Sequence, residues 1–182
     1  MKDLFEKLFL LILQNYSKYL HISHKMLLND VMGKEIERKF LVKDNSFVQL
    51  TTCSHRIRQA YLSDKPESTV RIRVSDDRAW LTVKGRNQGA VRDEWEYPIP
   101  VDDAMNMADR LTGGWSIDKT RHIVMYDGYR WEVDVFHGRH EGLILAEIEL
   151  PCISAPFTCP PFIGEEVTDD PRYYNSVLAS GV

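Results

Sequence analysis

From residue 33 onward the chain alternates apolar and polar residues with a period of two, the pattern of strands that bury one face. It predicts strands over 34–43, 55–63, 68–75, 79–86, 91–98, 118–126, 129–136 and 143–150. Turn signals separate them: "SDDR" (75–78), "GRNQG" (85–89), "YDGY" (126–129) and "HGRHEG" (137–142). Asp127-Gly128 is a strong hairpin signal, because the central residues of the tightest hairpin turns take positive φ. Connections this short leave no room for βαβ crossovers, so neighbouring strands should be antiparallel. One helix is clear: Val101-Asp102-Asp103 supplies a cap and early acids, and 103–111 runs to Gly113-Gly114. A Pro-rich passage (151–161) follows the last long strand, and a short helix is expected within 170–180. About eight antiparallel strands with few helices suggest a sandwich or a barrel.

The polar positions on these strands come as like-charged pairs. Glu35 and Glu37 flank Ile36, Arg56 and Arg58 flank Ile57, and Arg71 and Arg73 flank Ile72. Glu94 and Glu96 flank Trp95, Lys119 and Arg121 flank Thr120, Glu132 and Asp134 flank Val133, and Glu147 and Glu149 flank Ile148. Lys39 and Lys84 add single cations. Residues i and i+2 of a strand point the same way, so each pair places two equal charges on one face. Neighbouring like charges repel, and a solvated sheet gains nothing from them. A closed sheet would explain the pattern, with both signs lining one tunnel. Carboxylates there suit Mg²⁺ or Mn²⁺, and Arg and Lys suit phosphate oxygens. Together they call for a metal–polyphosphate complex in a wet, partly neutralised interior.

Composition changes this picture little. The chain has 182 residues, 43% hydrophobic and 27% charged, enough for one domain with its own core. A net charge of -4 argues against a general nucleic-acid binder. Three cysteines (Cys53, Cys152, Cys159) without metal spacing fit a reducing, cytoplasmic setting. His55, His122, His137 and His140 form no metal-binding spacing and read as surface or loop residues. Trp80, Trp95, Trp115 and Trp131 read as outer-face core. Near the N-terminus the uninterrupted apolar run is only Leu8–Leu13, short of the roughly 20 residues of a membrane span. Asp3 and Glu6 do not suit a signal peptide. Residues 1–32 are therefore expected to form a helical extension outside a catalytic domain of 33–182, with Met32-Gly33 resembling an original start.

"EIERK" (35–39) matches the ExExK signature of the CYTH superfamily, the triphosphate tunnel metalloenzymes. The rest of the match is ordered and spans 33 to about 180: "RQAYL" (58–62), "VRIRV" (70–74), "LTVKG" (81–85), "RDEWEYPI" (92–99), "KTRH" (119–122), "WEVDVF" (131–136), "LAEIEL" (145–150) and "GEEVTDDPRYYNSVLA" (164–179). The chain most resembles the small stand-alone bacterial branch of inorganic triphosphatases. That resemblance implies a mainly β fold, a closed eight-stranded antiparallel β-barrel tunnel with a few flanking helices. It implies metal-dependent hydrolysis of inorganic triphosphate to diphosphate and phosphate, with Mg²⁺ or Mn²⁺ as cofactor. Nucleoside or thiamine triphosphates are further candidate substrates. A class IV-type adenylate cyclase and a non-catalytic polyphosphate-binding module are the alternatives.

Carried over residue by residue, the resemblance assigns Glu35, Glu37, Glu147 and Glu149 to the metal, with Glu94, Glu96, Glu132 and Asp134 as supporting acids. Lys39, Arg58, Arg71, Arg73, Lys84, Lys119 and Arg121 match phosphate-binding cations, and Arg172 in the tail could close over one end of the substrate. Tyr61 matches a tyrosine that takes a proton in this branch, with its pKa lowered by cations such as Lys39. The expected partner is a small triphosphate, with neither nucleic acid nor membrane. An apolar outer barrel face with little helical cover would suit a homodimer.

Overall fold

The computed structural model describes residues 33–181. The expected N-terminal extension lies outside the described residues. Nine strands run in chain order: β1 (Lys34–Val42), β2 (Thr51–Ser63), β3 (Ser68–Ser75), β4 (Arg78–Gly85), β5 (Val91–Ile99), β6 (Ile117–Tyr126), β7 (Tyr129–Phe136), β8 (Ile144–Glu149) and β9 (Ile163–Glu166). The helices are α1 (Phe47–Leu50), α2 (Val101–Leu111) and α3 (Asn175–Ser180). Two single 3₁₀ turns cover Gly138–His140 and Pro171–Tyr173. The strand order is β5-β4-β3-β2-β6-β7-β8-β1-β9, and β5 also pairs with β1. That last pairing closes eight antiparallel strands into the expected barrel. Glu37 N–H donates to Ala90 O at 3.0 Å across the closure.

Local sequence explains most boundaries. Asp127 and Gly128 both take positive φ (46° and 79°), which gives the tight β6–β7 turn with Tyr126 opposite Tyr129. α2 starts at Val101 after Pro100, so Asp102 and Asp103 sit in its first turn rather than capping it. There they face the positive end of the helix dipole. The sequence pattern misses α1 and β9, each only four residues long. β9 exists through its partner β1, with Val42 opposite Ile163 and Phe40 opposite Glu166.

The barrel buries apolar side chains on both surfaces. Outside, α2 lays Ala104 on Ile72, Val74 and Ala79. On the other side the Pro-rich passage brings Phe157 against Phe40 and Trp131, while Phe47 of α1 stacks on Phe162. Burying an aromatic of this size stabilises a fold by about 2–3 kcal/mol. Inside, at one end, Ile117, Phe136 and Leu145 form an apolar plug with Tyr173, Leu178 and Ala179 of the tail. Trp95 and Tyr97 stay about half exposed on β5. Among the described residues, no helix is long and apolar enough to cross a membrane.

Candidate active site in a charged tunnel

Directly opposed residues of paired strands share a face. The registers Glu37↔Glu149, Lys39↔Glu147, Glu147↔Glu132, Asp134↔Arg121 and Lys119↔Ile57 therefore place these groups on one surface. The registers Gln59↔Arg73, Tyr61↔Arg71, Arg71↔Thr82, Thr82↔Glu96 and Lys84↔Glu94 continue it around the barrel. This surface lines the interior. It surrounds a cavity of about 480 Å³ bordered by Glu37, Lys39, Tyr61, Arg71, Lys84 and Arg92, and closed at one end by 174–177.

Two ion-pair networks run along the wall. In the first, Lys119 Nζ lies 2.6 Å from Asp134 Oδ2, and Arg121 binds Asp134 through Nε at 2.7 Å and Nη2 at 2.6 Å. Arg121 Nη2 also reaches Glu147 Oε2 at 2.8 Å, its Nη1 pairs with Glu132, and Glu147 pairs with Lys39. In the second, Glu35 accepts from Arg92 Nε at 2.5 Å and lies 3.3 Å from Lys84 Nζ, which sits 2.7 Å from Glu94. Arg73 Nη2 donates to Glu96 at 2.8 Å, and Thr82 Oγ1 donates to the same carboxylate at 2.8 Å. Glu37 bridges the two, 3.6 Å from Lys39 Nζ and 4.0 Å from Arg92.

The electrostatics are those of a site short of ligands of both signs. Burial lowers the Lys84 ammonium from its ordinary value, and nearby Arg92 adds to it. Burial, joined by Arg71, takes Arg73 down to about 10. Burial takes Lys119 down to about 8 although Asp134 opposes it. Arg71 Nε and Arg73 Nε are buried with no acceptor. A polyanion would supply what these cations lack.

Burial raises the Glu37 carboxyl, and repulsion from Glu147 and Glu35 raises it further. Among the described residues, no three carboxylate, histidine or thiol groups converge closely enough to hold a metal as the side chains stand. The donor set nevertheless fits a hard divalent cation. Glu37 and Glu149 are neighbours across β1–β8, Glu147 lies on the same strand face, and Glu147 and Glu35 both repel Glu37. The four supporting acids all serve cations: Glu94 and Glu96 hold Lys84 and Arg73, and Glu132 and Asp134 hold Arg121.

Acid titration should expose this wiring. Burial alone would raise Glu35 and Glu147. Lys84 and Arg92 for Glu35, and Lys39 and Arg121 for Glu147, hold both well below the usual carboxylate range. A depressed folded pKa contributes stability that is present above the unfolded value of about 4.3 and lost as pH falls through the folded one. Glu37, with a raised pKa, has the opposite sign and offsets part of the loss. Stability should therefore decline on acidification below about pH 4.3, and Glu147→Gln should flatten that decline. Urea midpoints between neutral and acid pH measure it; an equally steep acid limb in the variant contradicts it.

Four sequence-based expectations meet a different local geometry or electrostatics. Arg58 pairs with Asp118 in the β2–β6 register and faces outward, its guanidinium 4.9 Å over Trp115 and 3.8 Å from Met105 Sδ of α2. The Arg56/Arg58 pair shares a face as read, but the face is the outer one. Arg172 is 80% exposed, hydrogen-bonded to Asp170, and does not border the cavity. Tyr61 does border the cavity and donates to Gln59 Oε1 at 3.4 Å. Burial raises its pKa despite Arg71, Arg92 and Lys39, opposite to the lowering that a general base needs. Trp80 stands opposite Arg73 on the inner face, 5.0 Å from its guanidinium, and is not outer core. Sequence reasoning also missed Arg92, a partner of both Glu35 and Glu37. The period-two series Arg92-Glu94-Glu96 carries that signal.

A closed antiparallel barrel with acids and bases sorted along its inner wall is the architecture of a tunnel enzyme for polyanions. The CYTH domain family matches residues 33–174, and the chain belongs to that family. It is similar to an inorganic triphosphatase of Acetivibrio thermocellus, 46% identical over 147 residues, covering 81% of this chain and 94% of that one. An inorganic triphosphatase of Nitrosomonas europaea is 37% identical over 152 residues, covering 81% and 98%. A crystal structure of an inorganic triphosphatase matches with a TM-score of 0.57 and 33% identity, over 81% of this chain and 95% of that chain.

Proposed function

We propose that this protein hydrolyses inorganic triphosphate to diphosphate and phosphate in its tunnel, with Mg²⁺ or Mn²⁺. The observation that carries the reading is the set of cations that border one cavity: Lys39, Arg71 and Lys84, all buried, with Arg92 beside them. In this reading Lys39, Arg71, Arg73, Lys84, Arg92, Lys119 and Arg121 grip the phosphates and offset charge as it develops. Glu35, Glu37, Glu147 and Glu149 hold the cation, which when bound neutralises phosphate oxygens and acidifies water. Glu94, Glu96, Glu132 and Asp134 keep the cations oriented when substrate is absent. The names of the two curated relatives support a triphosphate substrate over the cyclase alternative.

Purified protein with Mg²⁺ or Mn²⁺ should release phosphate from triphosphate and stop when chelator is added. Cyclic AMP from ATP as the main product would instead assign the cyclase, and tight triphosphate binding without turnover a binding module. Tyr61→Phe gives a separate expectation. A true general base contributes about 10²–10⁴-fold, whereas a neutral, positioning hydroxyl contributes less. The variant should keep its rate within about tenfold of the parent; a larger fall in kcat would restore the base assignment.

A further inference from the structure

At the mouth of the barrel, away from the apolar plug, three side chains form a chain that triphosphate chemistry does not use. Cys53 Sγ lies 3.6 Å from His55 Nε2, and His55 Nδ1 lies 2.7 Å from Asp76 Oδ2. The Asp76 contact fixes the tautomer: Nδ1–H donates to the carboxylate, leaving Nε2 as the acceptor that faces the thiol. Both ends are held by backbone. Asp76 occupies the β3–β4 turn with φ at 52°; its N–H donates to Arg56 O at 3.4 Å and its Oδ1 accepts from Arg56 N–H at 3.4 Å. Cys53 follows a register irregularity between Thr51 and Cys53, and His55 stands opposite Arg121 in the β2–β6 ladder. The thiol is solvent-exposed.

We propose that Cys53 is a nucleophilic thiol, activated by His55 and Asp76, and a modification site for small-molecule disulfides. Nucleophile, acceptor and orienting carboxylate stand in the order that activates a thiol. The exposed sulfur is open to a small-molecule disulfide. In the step, His55 Nε2 takes the thiol proton and the Cys53 thiolate attacks one sulfur of the disulfide. A new S–S bond to Cys53 forms as the old S–S bond breaks. The departing thiolate collects the proton from the imidazolium, so the external disulfide is reduced as the protein sulfur is oxidised. Asp76 is a positioning residue, acting through His55.

The other two cysteines are an internal reference. Cys152 and Cys159 are also exposed, but among the described residues only Cys53 has a histidine within hydrogen-bond reach. The full chain is treated with oxidised glutathione at neutral pH, and adduct formation is followed at each cysteine by peptide mass spectrometry. Cys53 should react about tenfold faster than Cys152 and Cys159. His55→Gln should bring it down to their rate while leaving theirs unchanged. Asp76→Ala should slow Cys53 too, and Asp76→Asn should recover much of the rate. Asn tolerates the left-handed backbone and still accepts from Nδ1–H. Equal rates at all three cysteines, or an unchanged Cys53 rate in His55→Gln, overturns the proposal. So does Asp76→Asn reacting as slowly as Asp76→Ala. None of these outcomes depends on triphosphate turnover.

Discussion

Replacing Glu35 and Glu37 together by glutamine is expected to lower triphosphate hydrolysis by about a thousandfold, while the barrel stays folded. Glutamine keeps the length and most of the shape of each side chain but removes two negative charges from β1. Burial and repulsion from Glu147 and Glu35 raise the Glu37 carboxyl against the pull of Lys39 and Arg92. A divalent cation would relieve that repulsion, so the loss should be one of metal-supported turnover rather than of folding. Lys84 and Arg92 retain Glu94 and one another's vicinity, so the cationic wall would keep its affinity for phosphate. The measurement is phosphate release across a Mg²⁺ and Mn²⁺ titration, with triphosphate binding measured in parallel. A variant that turns over like the parent at any metal concentration would remove the metal assignment. A variant that also loses triphosphate binding would show that the two acids mainly shape the cation wall.

The second large effect should be on stability. Arg121 is largely buried, with 12% of its side chain exposed, and holds three carboxylates at once: Glu132, Asp134 and Glu147. Burial would lower its pKa, but Asp134 foremost, with Glu147 and Glu37, outweighs that and raises it. Arg121→Met removes the guanidinium and leaves Asp134 with only Lys119, in a place where water cannot replace the lost partner. Breaking a buried pair this way typically costs about 3–5 kcal/mol, and denaturant unfolding should read a loss of that size. Adding Asp134→Asn to the same chain removes one stranded charge and should recover part of it. That non-additivity separates an electrostatic cause from a simple packing defect, which Asp134→Asn would only worsen. A single-variant loss below about 1 kcal/mol would mean the network is solvated and contributes little.

Strand phase explains why so much of the tunnel is legible in one dimension. In β3, β6, β7 and β8 the charged pairs are locked to one face by the two-residue repeat, whatever the rest of the chain does. The partners of each pair are non-local. Arg58 carries the same local signature as Arg71, yet β2 presents it to Trp115 and Met105 because Gln59 and Tyr61 take the inward positions. Arg92 looks like a strand-end surface residue until β5 closes on β1 and brings it to Glu35. Tyr61 shows the same limit in energy rather than position. Nearby cations were legible, but the burial that overrides them depends on the tail packing over that end of the barrel.

The sequence alone determined the period-two strands, the sorting of like charges onto single faces, the tight turn at Asp127-Gly128 and the inventory of acids and bases. These are local properties, set by backbone geometry and neighbouring side chains. Only the tertiary structure decided which face of β2 lines the tunnel, that Arg92 joins the acids of β1, that Trp80 sits inside, and that Cys53, His55 and Asp76 meet at the mouth. Those outcomes depend on ring closure and on pairings between distant segments, and no local rule carries the register that sets them.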